Sequence, residues 1–201
     1  MSPAFALGVL AGLSVAMPVG PVGVLLLRSG LVDGVRVAVA AACGIATVDV
    51  LYAVVAVAVG TPVSRVVGEH AALVRGVSAA VLVVIGIVGL VAAARRAAPD
   101  PGQDRTTSAT RTYGRFVALT AVNPLTAVTF TAIAVGLAVQ VDGAGSVAAF
   151  VVGVGLASLA WQLLLAVGSG LLGLRLPPAA RTWVSVVGSV VVVLAGVALV
   201  V

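Results

Sequence analysis

Lysine is absent from this 201-residue chain, cysteine and histidine occur once each, and charged residues make up only 8% of it. Each scarcity excludes a class of function. A lone cysteine, Cys43, rules out an internal disulfide and a CxxC redox pair. A lone histidine, His70, rules out a histidine-cluster metal site, and no metal or organic cofactor is expected. A soluble domain averages about 25% charged residues. A chain that is 62% hydrophobic, with a mean hydropathy of +1.29, has instead the composition of a membrane protein. The positive side of its +5 balance is all arginine. Those arginines lie almost wholly between apolar runs, so the basicity reads as membrane topology and not as affinity for nucleic acid.

What is present is a set of six apolar segments, over residues 4–27, 37–60, 72–94, 116–141, 144–174 and 182–201. Each meets the ~20 residues that a helix needs to cross a bilayer. The first lacks a basic leader and is longer than the apolar core of a signal peptide, so it is taken as the first spanning helix. The expected fold is an all-α polytopic membrane protein with six transmembrane helices. The loops after the first, third and fifth segments carry nine arginines, against two (Arg65 and Arg75) elsewhere. The positive-inside rule then puts those loops in the cytoplasm and both termini outside.

One hydrophilic stretch, residues 95–115, reads as a flexible linker. It divides the chain into a three-helix half at 1–94 and a second at 116–201. Three helices per half force the second half to enter the membrane from the opposite side. Any repeat between them is therefore inverted, a plan common among secondary transporters. Faint symmetry agrees with this. Met17-Pro18 lines up with Asn123-Pro124 at an offset of 106 residues. GIATVDVLY matches GVGLASLAW at an offset of 109, pairing Gly44 with Gly153, Asp49 with Ser158 and Tyr52 with Trp161.

Of nine prolines, only Pro18, Pro21 and Pro124 lie well inside an apolar segment. A proline in a helix interior removes one backbone hydrogen bond and clashes with the preceding turn, at a cost of ~3 kcal/mol or more. The first segment is therefore read as two half-helices, the second starting with Gly20 as cap and Pro21 at its first position. Asn123-Pro124 is a similar start, because asparagine caps helices well and proline suits their first position. At ~1.5 Å per residue, both breaks fall roughly 13 Å from the cytoplasmic end of their segments. Broken helices offer amides to a carboxylate and carbonyls to an ammonium, so two breaks at one depth suit a zwitterion. The plainer alternative is a pair of simple kinks.

Asp49, thirteenth in the second segment, is the only acid in the middle of any segment. At the bilayer centre an acid costs about 2.5–3.5 kcal/mol on insertion scales, and it marks a functional site by default. It suits either proton carriage or a substrate amine. The structural alternative is a lock to an arginine or to the freed carbonyls of the first helix. Tyr52, Trp161, Gly44, Ser158 and Thr129 are candidate pocket-lining positions, with packing as the alternative. Gly8 and Gly12 form a GxxxG that suits internal packing or a dimer face.

The stretches PVGPVGVLLLRSGLVDGVRVAVAAACGIATVDVLYA and AVNPLTAVTF resemble the lysine-exporter (LysE-type) family of bacterial amino-acid exporters. The resemblance spans nearly the whole chain and rests on Pro18, Gly20, Pro21, Gly44, Asp49, Asn123 and Pro124. It implies an inner-membrane carrier that exports amino acids, is coupled to the proton-motive force and forms homo-oligomers. The chain departs from it in two places. Val19-Gly20-Pro21 stands where many relatives have Pro-Gly-Pro, and Thr129 stands where some lysine and arginine exporters carry an acid. The missing second carboxylate shifts the expected cargo toward neutral amino acids. A metal-ion or other cation exporter is the rival within transport, though such sites need more carboxylates, histidines or cysteines. A membrane enzyme would need a second acid, a histidine or a cysteine pair near the first group. A passive scaffold would give no reason for polar groups and helix breaks to coincide.

Overall fold

The computed structural model describes residues 2–17, 20–59, 71–97, 108–137 and 143–198. Eight α-helices and no strand occur among these residues: α1 (Pro3–Ala16), α2 (Pro21–Asp33), α3 (Val35–Val59), α4 (Ala71–Ala97), α5 (Ala109–Ala121), α6 (Pro124–Leu137), α7 (Ala144–Gly173) and α8 (Pro178–Ala198). By length and composition, α3 and α7 are each able to cross a membrane. The pair α1 and α2 passes the same test when taken together, bent by 78° at its break, as a broken span or a re-entrant loop does. Large apolar side chains such as Leu10, Leu51, Leu156 and Leu194 face outward, which suits a surface bathed by lipid.

Helix limits differ from the apolar limits in informative ways. The first segment does not stop at residue 27: α2 continues to Asp33, and the chain then turns at Gly34, whose φ of 91° favours glycine. Arg28 and Arg36, expected in a loop, are both helical, and Arg28 is buried against α8 beside Gly188. Hydropathy marks where a segment meets charge, whereas a helix ends where its backbone turns. The expected linker shortens for the same reason. Residues 95–97 complete α4 and 109–115 open α5, while the residues between 98 and 107 lie outside the described set. On α5, Thr112, Phe116, Leu119 and Thr120 are buried while Arg111 and Arg115 are exposed, so it enters the bundle as an amphipathic helix.

The packing runs across the chain more than along it. Helix α1 lies on α7, α5 lies on α3, and α3 and α7 pack on each other; α4 pairs with α8. The second half-helices follow suit, α2 touching α7 and α8, and α6 touching α3 and α4. The α1–α7 seam is glycine-built. A Cβ added at Gly153 would sit 2.5 Å from the Phe5 carbonyl oxygen, and one at Gly12 would sit 2.6 Å from that of Val154. Gly8 likewise meets the Phe150 backbone. The GxxxG of α1 therefore serves internal packing.

Two apolar clusters fill the interior. One gathers Leu25 and Leu26 of α2, Ala41 and Ile45 of α3, and Phe116 of α5; the other gathers Ala53 of α3, Phe130 of α6, and Phe150 and Val154 of α7. Asp49 lies one turn from Ile45 and one turn from Ala53. It occupies a polar layer between the two clusters.

Candidate functional site

That polar layer contains a cavity of about 40 Å³ where all four half-helix ends converge. Since one water needs ~10–15 Å³ of such space, it has room for about three. Val15 and Ala16 come from the end of α1, Gly20, Val22 and Gly23 from the start of α2, Thr120 from the end of α5, and Asn123 and Thr126 from the start of α6. Asp49 and Ile45 of α3 and Gln162 and Leu165 of α7 complete the wall.

The breaks form for local covalent reasons. Gly20 caps α2 with its carbonyl, which accepts from the Val24 amide at 3.0 Å. Pro21 has no amide, and the Val22 and Gly23 amides precede that first bond, outside the helix's own ladder. Asn123 acts in the same way on α6: its carbonyl accepts from the Ala127 amide at 3.2 Å, and its side-chain Nδ2 donates to Thr126 Oγ1 at 3.1 Å. Its own amide donates back to the Thr120 carbonyl at 3.1 Å, because Pro124 offers that carbonyl no amide.

Asp49 is 1% exposed. Ser158 Oγ donates to its Oδ2 at 2.6 Å, while Oδ1 has no partner among the described residues. No arginine pairs with it among those residues. Among the described residues the carboxyl is thus neither locked to a cation nor fully satisfied, and Asp49 is part of the cavity wall. Pairing Asp49 with Ser158 also joins two positions 109 residues apart, the offset at which the two sequence stretches match.

The remaining candidates are distributed as follows. Gly20, Asp49 and Asn123 line the cavity, and Pro21 and Pro124 are the first residues of the helices that open onto it. Ser158 reaches it only through Asp49. Pro18 lies outside the described residues. Gly44 is placed away from the cavity: a Cβ there would sit 2.7 Å from the Tyr113 carbonyl oxygen, so this glycine admits α5 onto α3. Tyr52 is not in the wall either. Its hydroxyl donates to the Ala121 carbonyl at 2.8 Å, and its ring stacks on Phe130 with centroids 5.6 Å apart. It thereby ties both sides of the α5–α6 joint to α3. Trp161 is half-buried, and its Nε1 has no partner among the described residues. Thr129 is half-buried on α6, away from the wall.

Three polar wall residues, Gln162, Thr120 and Thr126, are not singled out by the sequence reading. Gln162 carries a signal that it overlooks, as the one amide side chain in the fifth apolar segment. The threonines carry none, because their hydroxyls are common in membrane helices and only packing shows which of them face a cavity. Among the described residues, no group of three or more histidine, cysteine, aspartate or glutamate side chains gathers to hold a metal ion.

The family model described as LysE type translocator matches residues 13–201. No curated protein and no solved structure matches the chain.

Proposed function

The chain belongs to the LysE type translocator family, and from that premise we propose that it is a secondary transporter exporting an amino acid or similarly small zwitterion across the bacterial inner membrane. The observation that carries this reading is the cavity at which four half-helix ends meet one incompletely bonded carboxyl. Helix starts at Gly20 and Asn123 offer amides suited to a carboxylate. Asp49 supplies a negative group for an ammonium, or a site for the coupling proton.

Six spans as two inverted halves are part of the proposal. Exchanging α1 with α5, α2 with α6, α3 with α7 and α4 with α8 turns each helix pairing described above into another member of the same set, whereas the contact between α2 and its sequence neighbour α3 has no comparable α6–α7 counterpart among the described residues. Inverted repeats operate by rocking one repeat against the other around a central site. A cavity with room for only about three waters supports an occluded stage of such a cycle. The half-helices must then separate for a larger cargo to enter or leave. Nine arginines gathered about the junctions after the first, third and fifth apolar segments, most of them on helix ends, support cytoplasmic odd junctions and external termini.

Purified protein in proteoliposomes, challenged with a panel of labelled amino acids with and without a pH gradient, tests the reading. Saturable flux of at least one member, accelerated by the gradient, is expected. Absence of flux for every member overturns the amino-acid assignment, and flux indifferent to the gradient overturns proton coupling. A cation exporter is the weaker alternative, since Asp49 is the one carboxylate in the cavity wall among the described residues.

A further inference from the structure

Three residues of the cavity wall each carry a buried polar atom whose hydrogen-bonding capacity goes unused among the described residues: Asp49 Oδ1, Gln162 Oε1 and Thr120 Oγ1. The residues come from α3, α7 and α5, and all three line the same wall. Their side chains are buried, at 1%, 6% and 1% exposure. Buried polar atoms are nearly always paired, so three unpaired ones around one small space call for a partner. Their chemistry is specific. A carboxylate oxygen and an amide oxygen only accept, and a hydroxyl oxygen accepts as well as donates. Asp49 carries the only acidic group of the wall among the described residues.

A primary ammonium presents three N–H donors and one positive charge. We propose that Asp49, Gln162 and Thr120 form the ammonium pocket of the cargo, one acceptor to each hydrogen, and that the pocket selects primary amines over N-methylated ones. This rests on the exporter reading above and adds the rule by which the site selects. Asp49 attracts any cation, because charge attraction is indifferent to hydrogen count. Gln162 and Thr120 are not indifferent. A secondary ammonium lacks one donor and presses a methyl group on one acceptor, and a quaternary ammonium leaves all three unmet. Ser158 assists by occupying Oδ2, which leaves Oδ1 as the oxygen for the cargo.

The test uses the full chain in proteoliposomes, with labelled glycine, L-alanine, L-serine and L-threonine, each competed by itself, by its N-methyl derivative and by glycine betaine. The expected result is that N-methylation weakens competition by about tenfold or more, as for the loss of one hydrogen bond to a charged group, and that betaine does not compete. Gln162→Leu should raise KM and bring the parent-to-N-methyl ratio close to one. Thr120→Val, nearly isosteric, should move the ratio in the same direction and reads a second corner of the pocket if the first variant folds poorly. Equal competition by parent and N-methyl compounds on the wild type overturns the pocket and leaves the exporter reading standing, as does an unchanged ratio in both variants. Failure of the wild type to move any of the four overturns the neutral amino-acid reading and the pocket together.

Discussion

In the proposed exporter, Asp49 divides its two oxygens between structure and cargo, and the division can be tested by separate substitutions. Asn in its place keeps an oxygen for Ser158 and removes the charge. Asp49→Asn should therefore reach the membrane at normal levels while export falls by about 10- to 100-fold, the scale of a hydrogen bond to a charged group at ~1.5–3 kcal/mol. Efflux at the wild-type rate from that variant would take the charge out of the mechanism. Ser158→Ala addresses the other oxygen. It leaves Oδ2 as bare as Oδ1, at a cost of ~1–3 kcal/mol, which should appear as a lower melting temperature in detergent. An unchanged melting temperature would mean that this 2.6 Å bond contributes little.

At the scale of the element, the decisive feature is that two helix pairs, α1–α2 and α5–α6, are interrupted where they meet a cavity. Pro124→Ala restores an amide four residues beyond the Thr120 carbonyl, which the Asn123 amide now satisfies by a shorter loop. The substitution removes a penalty of up to ~3 kcal/mol, so the variant should melt at the same or a higher temperature and yet transport more slowly. Greater stability together with lower flux would separate a functional break from a kink, and unimpaired flux would favour the kink. The α1–α7 seam makes the opposite prediction. In Gly153→Ala, the new methyl must push the Phe5 carbonyl away from its 2.5 Å approach. Overpacking of this kind costs ~1–3 kcal/mol, so the melting temperature should drop, and the end of α1 at the cavity should shift with it.

For the whole molecule, the arginine count and the exchange of helix pairings are independent arguments for one topology. One counts charge at the junctions between apolar segments, and the other compares packing inside the bundle. Reporter fusions between residues 98 and 107 should report the cytoplasm, and fusions at the C-terminus should report the outside. A periplasmic signal from the first set, or a cytoplasmic one from the second, would break the alternation that an inverted pair of three-helix halves requires.

The helix breaks were legible in advance because a proline lacks its amide in any fold, and α2 and α6 do begin at Pro21 and Pro124. Asp49 was legible because a single acid among apolar residues needs no structure to stand out. Composition likewise determined that the chain is a helical membrane protein. Faces were not legible. Helices apolar on every side, such as α7, carry no periodicity that tells the inward side from the lipid side, so Gln162 and Thr120 stayed hidden. Gly44 and Tyr52 were candidates for the pocket wall, yet they hold α5 and the α5–α6 joint against α3 instead. Which side chains share the cavity was decided by the tertiary structure alone. Helices far apart in the chain close on one another where glycines let backbones touch, and that registry sets the wall.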